Sequence, residues 1–252
     1  MRGRFACVMT IVLAASALVC AQQPAPGDRG GGKGPAATIA PAPRSADGKP
    51  DLNGVLNGGP YSQDISRNLL PGEQIVLTPA ADKLMKERRP KDDPEANCLP
   101  AGVPRMAPYP WRIVQQPSHI FILFEGNTHS YRQIFMDGRQ HTPEANRWPS
   151  WYGDSIGKWD GDTLVVDTVG FNDRFWFDAK GHPHTDQLHT IERYTRKDLG
   201  TLTVETTIID PGAYVKPFKI GFTAHYALKD DLMEYICAEN NQDVTHITTP
   251  KP

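Results

Sequence analysis

The sequence lacks the short motifs that announce the commoner catalytic chemistries. It has no Gly-x-Ser-x-Gly elbow, no glycine-rich phosphate loop, no His-Glu-x-x-His pair and no Cys-x-x-Cys pair. Serine hydrolase, nucleotide enzyme, helical zinc hydrolase and thioredoxin-type roles therefore lose their usual signatures. Long apolar runs are missing too. The one candidate, Val8 to Val19, falls short of the ~20 residues a membrane-spanning helix needs. No sign of charge dominates: 27 Lys and Arg face 29 Asp and Glu, a formal net charge of −2. That balance argues against nucleic acid or an anionic membrane as partner. Cysteine is sparse, with four in 252 residues.

Arg2 and Arg4, the apolar run, and Val19-Cys20-Ala21 together read as a secretory signal peptide over residues 1–21. The expectation is an exported protein, periplasmic or secreted. A lipid anchor on Cys20 is the alternative, although Val19 is bulky where a lipobox takes a small residue. Cleavage removes Cys7 and Cys20, moves the formal charge to about −4, and leaves Cys98 and Cys237. In an oxidising compartment these two most simply form one disulfide; a pair of buried free thiols is the other reading. Residues 22–50 are rich in Gly, Pro and Ala and read as a disordered linker. Residues 51–252 are long enough for one domain with a sizeable core.

Thr78 and Pro79 open one short helix, with good helix formers to Arg89 and Pro90 after it. Beyond Trp111 strands dominate. Arg112–Val114, Ile120–Glu125, Ser130–Met136, Ile156–Trp159 and Thr163–Val169 are five. Leu188–Arg196, Thr201–Ile209, Phe218–Ala227 and Leu232–Cys237 are four more, most joined by turn-like Asp, Asn and Gly residues. Short connections between such strands predict an all-β fold. It would be a single, mostly antiparallel barrel (calycin-like) or a curved sandwich, with the helix at its periphery.

Several stretches resemble a family of secreted bacterial β-rich proteins. The most specific are Ser155-Ile-Gly-Lys-Trp-Asp-Gly-Asp-Thr-Leu-Val-Val-Asp-Thr168, Gly170-Phe-Asn-Asp173, and Gly181-His-Pro-His184 with Leu188-His189 and Glu192-Arg193. Asp47-Gly-Lys-Pro-Asp-Leu52, Cys98-Leu-Pro100 and Arg132-Gln-Ile-Phe-Met-Asp-Gly-Arg139 extend the likeness over roughly residues 47 to 245. The resemblance implies export and a β-rich fold and carries no mechanism. The chain departs from the pattern at Leu56, where a Trp is common, and at Asp154, where His or Tyr is common.

His182, His184 and Asp186 alternate, so on an extended segment they would share a face and offer a metal two imidazoles and a carboxylate. The metal-free reading is preferred, because Pro183 restricts the backbone and no second ligand-spaced cluster appears. His184 is then the candidate general base, oriented by Asp167 or Glu192, with His182 beside it. Glu192 shares parity with His182 and His184, whereas His189 and Arg193 point the other way. A two-residue Asp160-Gly161 turn would set Asp154 opposite Asp167, an acid–base dyad; a three-residue turn would set Asp154 opposite Thr168. Asp167, at the end of an apolar run, is expected where its strand dips inward. Trp148, Trp151, Trp159 and Trp176 cluster with phenylalanines, either to plug a barrel end or to wall a ligand cavity. Trp159, Trp176, Tyr131 and Arg132 are the candidate substrate-binding residues. Arg132, mid-strand, is expected in an internal ion pair with Glu125 or on a substrate carboxylate.

These residues favour an exported enzyme using general acid–base chemistry on a small apolar or aromatic molecule, as a lyase, isomerase, cyclase or hydrolase. The alternatives are a small-molecule binding protein and a metal-dependent hydrolase or hydratase. No cofactor is expected beyond that possible divalent metal, and the only partner expected is the small molecule.

Overall fold

The computed structural model describes residues 40–59, 63–105, 109–126, 130–143, 145, 148–237 and 239. The expected signal peptide, and the linker as far as residue 39, lie outside the described residues. Nine strands form a closed barrel in chain order: β1 (Gly54–Asn57), β2 (Trp111–Gln115), β3 (His119–Phe124), β4 (Tyr131–Phe135), β5 (Asp154–Asp160), β6 (Thr163–Val169), β7 (His189–Arg196), β8 (Thr201–Ile209) and β9 (Phe218–Tyr226). β1 closes the ring against β9. All neighbours are antiparallel except β4 and β5, which meet in parallel over two residue pairs. The barrel of the sequence reading is thus present, and no sandwich forms.

A parallel junction cannot be joined by a tight turn and needs a long crossover. Residues 137–153 supply it. The crossover is pinned to the barrel where Ser150 N–H donates to the Gly170 carbonyl (3.0 Å) and Asn172 N–H to that of Ser150 (2.9 Å). Gly170 stands at φ +73, and a Cβ there would come within 2.5 Å of the Ala145 carbonyl oxygen. Only glycine satisfies both demands.

Strand alternation fills the barrel. Leu202, Val204, Thr206 and Ile208 of β8 face inward and meet Phe218, Ile220, Ala224 and Tyr226 of β9. Phe171, Phe175, Phe177, Leu188 and Tyr214 join this core from the loops. Helix α1 (Pro79–Glu87) starts as expected, with Thr78 Oγ1 accepting from Ala81 N–H at 3.3 Å.

Three differences from the sequence reading have physical causes. β1 is absent from the sequence reading because its four residues, Gly54–Asn57, are too few to show a period. Leu232–Cys237 forms no strand; instead the Cys98–Cys237 disulfide and a bond from Met233 N–H to Glu125 Oε2 (2.8 Å) hold it. Residues 40–50, placed in the linker from composition, make backbone bonds. Leu199 N–H donates to the Ala40 carbonyl, and Arg44 pairs with Asp162 at 2.6 Å.

The barrel interior contains an ion pair. Arg132 pairs with Glu192, not with the expected Glu125, through Nη1 to Oε1 at 3.0 Å and a second, closer contact. Strand parity explains the choice: Arg132 and Glu192 both point inward, and Glu125 is engaged by Met233. Ser155 Oγ (3.1 Å) and Thr168 Oγ1 (2.8 Å) accept from the guanidinium, and Tyr194 O–H donates to Glu192 at 2.8 Å. Burial works against the charge on Arg132, but the Glu192 carboxylate outweighs it and holds the guanidinium above its ordinary pKa. Burial, then the same carboxylate, pushes the Tyr194 phenol well up. Glu192→Ala, which strands the arginine, should cost about 3–5 kcal/mol in urea denaturation. Arg132→Met combined with Glu192→Leu should recover most of that loss. An additive double mutant would show that the pair is not coupled.

Candidate functional site

The residues singled out for chemistry do not converge. Glu192 and Arg132 face each other inside the barrel. Asp167 lies on the outer wall, since Leu164, Val166 and Thr168 take the inward positions of β6; it does not dip into the interior. Residues 182–188 are not an extended strand, so the alternation argument for His182, His184 and Asp186 fails: β7 begins only at His189. Asp186 is exposed, His182 turns back to Asp178, and His184 enters an aromatic box.

His182 Nδ1 lies 2.6 Å from Asp178 Oδ2, and the His182 N–H donates to Asp178 Oδ1 at 3.1 Å. Among the described residues, Asp64, Asp178 and His182 are the one trio whose donor atoms gather within 4.8 Å. Every carboxylate oxygen there already has a donor. Asp64 takes Ser66 on one oxygen and the Lys180 ammonium (2.6 Å) on the other. Burial would raise the Asp64 pKa, but Lys180 and Ser66 outweigh it and bring it down to about 2. Asp178 also accepts Ile65 N–H at 2.7 Å. This trio is a self-satisfied clamp between two loops.

His184 lies 3.8 Å, centroid to centroid, from the Phe175 ring and stacks on Phe177 at 5.2 Å. Its Nδ1–H donates to the Thr185 carbonyl at 3.1 Å. Burial pushes its pKa down to about 4. A neutral, enclosed imidazole without Asp167 or Glu192 beside it lacks both the access and the partners of the expected base.

A different histidine organises the outer wall. The β5–β6 turn is Gly161-Asp162, one residue on from the expected Asp160-Gly161, because Asp160 pairs with Thr163. Asp154 consequently faces Val169, and Asp167 faces Ile156, so neither register expected from the sequence holds. The two carboxylates are diagonal neighbours on one outward face. His141, from the crossover, sits between them: Nδ1 is 2.9 Å from Asp154 Oδ2, and Nε2 is 3.0 Å from Asp167 Oδ1. His189, the first residue of β7, brings its Nε2 to the same Asp167 oxygen at 2.9 Å. An ionised carboxylate only accepts, so a neutral His189 bonded to Asp167 carries its hydrogen on Nε2. That requirement fixes the His189 tautomer and leaves its Nδ1 as the acceptor.

His189 also lines a cavity of about 370 Å³ with Pro149, Val169, Phe171, Asp186, Gln187 and Leu188. Sequence reading missed His141 because it stands alone in an irregular segment, 13 residues from Asp154. The one available signal was the length of the connection between β4 and β5.

The tryptophans do not wall one cavity. Trp148 is 76% exposed. Trp176 is buried under the Arg88 guanidinium at 4.7 Å, and Arg174 lies 5.9 Å from Trp151. Trp159 lines a separate hollow of about 310 Å³, with Met136 and residues 45–47. Tyr131 and Arg132 border a groove at the β4–β5 seam. No family model, curated protein or solved structure matches the chain, so the site stands on its geometry alone.

The buried His184 makes stability depend on pH. Its folded pKa, about 4, lies below the ordinary histidine value of 6.5, so the unfolded chain binds the proton first as pH falls. Stability should therefore drop between about pH 6.5 and pH 4 and then level off for this group, by about 3 kcal/mol in all. Urea midpoints at pH 7 and pH 4.5 should differ less in His184→Phe than in the parent protein. An equal difference in the two would refute the assignment.

Proposed function

We propose that the protein is an exported enzyme that works by general acid–base catalysis at His189, on a small organic molecule held in the adjoining cavity. The observation that carries this reading is the convergence of His141 and His189 on one oxygen of Asp167, with Asp154 behind His141. Donation from His189 Nε2–H to Asp167 holds the ring in one tautomer and aims the Nδ1 lone pair outward. When Nδ1 takes a proton from the substrate, Asp167 stabilises the imidazolium. His141 and Asp154 hold Asp167 in place from the other side. This is the arrangement of an oriented base, suited to proton abstraction followed by elimination or isomerisation, or to activating water for hydrolysis. A lyase or isomerase fits best, because the described residues around His189 include no serine or cysteine nucleophile.

The cavity supports a substrate with an apolar body and a few polar groups. Pro149, Val169, Phe171 and Leu188 supply apolar surface, and Gln187 and Asp186 supply hydrogen-bonding groups. Export is supported by the Cys98–Cys237 disulfide, which belongs in an oxidising compartment, and by the signal-like start of the sequence.

The test is a turnover screen of metabolite mixtures against the mature protein, His189→Ala and Asp154→Asn. His189 is half-buried on the wall, so its removal should leave the fold intact. Loss of His189 should cut the rate ~10²–10⁴-fold, with a smaller loss for Asp154→Asn. Turnover undiminished in His189→Ala would refute the reading. A ligand bound without turnover, equally well by both variants, would make the protein a binder instead.

A further inference from the structure

Among the described residues, the β4–β5 seam leaves part of a strand edge unpaired inside an otherwise closed barrel. Phe124 N–H donates to the Ser130 carbonyl and Met136 N–H to that of Ser118. Backbone groups of a strand point alternately to its two sides, so the even-numbered residues of β4 face β3. The N–H and C=O groups of Tyr131, Gln133 and Phe135 therefore face β5. β5 pairs with β4 only at Ile134–Ser155 and Phe135–Ile156. A parallel ladder of that length engages Phe135 and the Gln133 carbonyl. It leaves the Tyr131 N–H, the Tyr131 C=O and the Gln133 N–H without a partner strand among the described residues.

These groups border a groove of about 460 Å³ lined by Tyr131, Gln133, Phe135, Trp151, Tyr152 and Gly153. Tyr131 is 59% exposed on this wall. A Cβ on Gly153 would come within 2.6 Å of the Val169 carbonyl oxygen, so that position takes only glycine.

We propose that this seam binds an extended polypeptide segment of a partner, which adds a short strand to the free edge of β4. Two features select that ligand. Donor, acceptor and donor groups spaced along a strand match the backbone of an extended chain. The aromatic rings around them offer pockets for an apolar or aromatic side chain at alternate positions. A natural barrel normally removes or covers such edges, because an open edge invites pairing. This one keeps an edge beside aromatic surface. The seam is separate from the His189 cavity and does not depend on the proposed catalysis.

Amide hydrogen exchange of the mature protein reads the seam directly. In the free protein, the Tyr131 and Gln133 amides should exchange at least ~10-fold faster than those of Arg132 and Ile134. The blocked pentapeptide acetyl-Thr-Val-Trp-Val-Thr-amide, at millimolar concentration, should slow Tyr131 and Gln133 selectively. An analogue N-methylated at alternate amides should not, and Tyr131→Ala should weaken the protection while leaving the barrel's exchange pattern unchanged. Equal protection of all four amides in the free protein would overturn the proposal, as would a peptide that protects none. Protection that rises with protein concentration alone would assign the seam to a second copy of this chain and likewise overturn it.

Discussion

A closed ring of nine strands cannot be antiparallel throughout. Each antiparallel neighbour reverses direction, and after a full circuit the number of reversals must be even. At least one junction must therefore be parallel, and here it is β4–β5. Parallel neighbours cannot share a hairpin, so the constraint also forces a long connection at that place. The crossover of residues 137–153 answers it. Its course over β5 and β6 delivers His141 between Asp154 and Asp167, and its far end leaves the β4 edge partly open. The candidate catalytic cluster and the open seam thus arise from one geometric necessity, on either side of the same segment.

The interior shows a second constraint, which is charge. A barrel of this size is filled by side chains, and this one fills part of its centre with Arg132 and Glu192. Such a pair contributes little net stability relative to apolar residues of the same volume, but removing one partner is severe. Its larger effect is on register. Arg132, Ser155, Thr168, Glu192 and Tyr194 come from β4, β5, β6 and β7, and their bonds close only if all four strands are in step. A one-residue slip would turn each of them to the outer face. The parallel junction has only two residue pairs of its own, so this network is the stronger tie across it.

Much of the fold was legible in the sequence because it depends on short-range rules. A strand-forming run bounded by turn residues marked β8, Thr78-Pro79 marked the start of α1, and the expected loss of Cys7 and Cys20 left Cys98 and Cys237 to pair. The site was less legible because it depends on register and on a crossover, which are decided between strands. A shift of one residue in the β5–β6 turn exchanged a carboxylate dyad for a diagonal pair with an imidazole between. The histidines with the most suggestive spacing, His182 and His184, turned out to be packed into loops. Spacing implies a shared face only where the backbone is regular, and Pro183 lies in a segment that is neither strand nor helix.

The contrast between the histidines shows how the same side chain is put to different uses. His184 is enclosed by aromatic rings that disfavour its charge, and His182 is locked to Asp178. Both are buried, so neither presents its ring to a molecule outside. His189 differs on both counts. It is half-buried rather than enclosed, and its bond to Asp167 leaves Nδ1 of the neutral ring as an acceptor. Asp167 is itself held on two sides, by His141 and His189, and His141 is held in turn by Asp154. Each link therefore restricts the rotamer of the next, and the last imidazole is oriented without being buried. Orientation combined with exposure is what separates His189 from His182 and His184, and on the described outer wall these four residues supply it together.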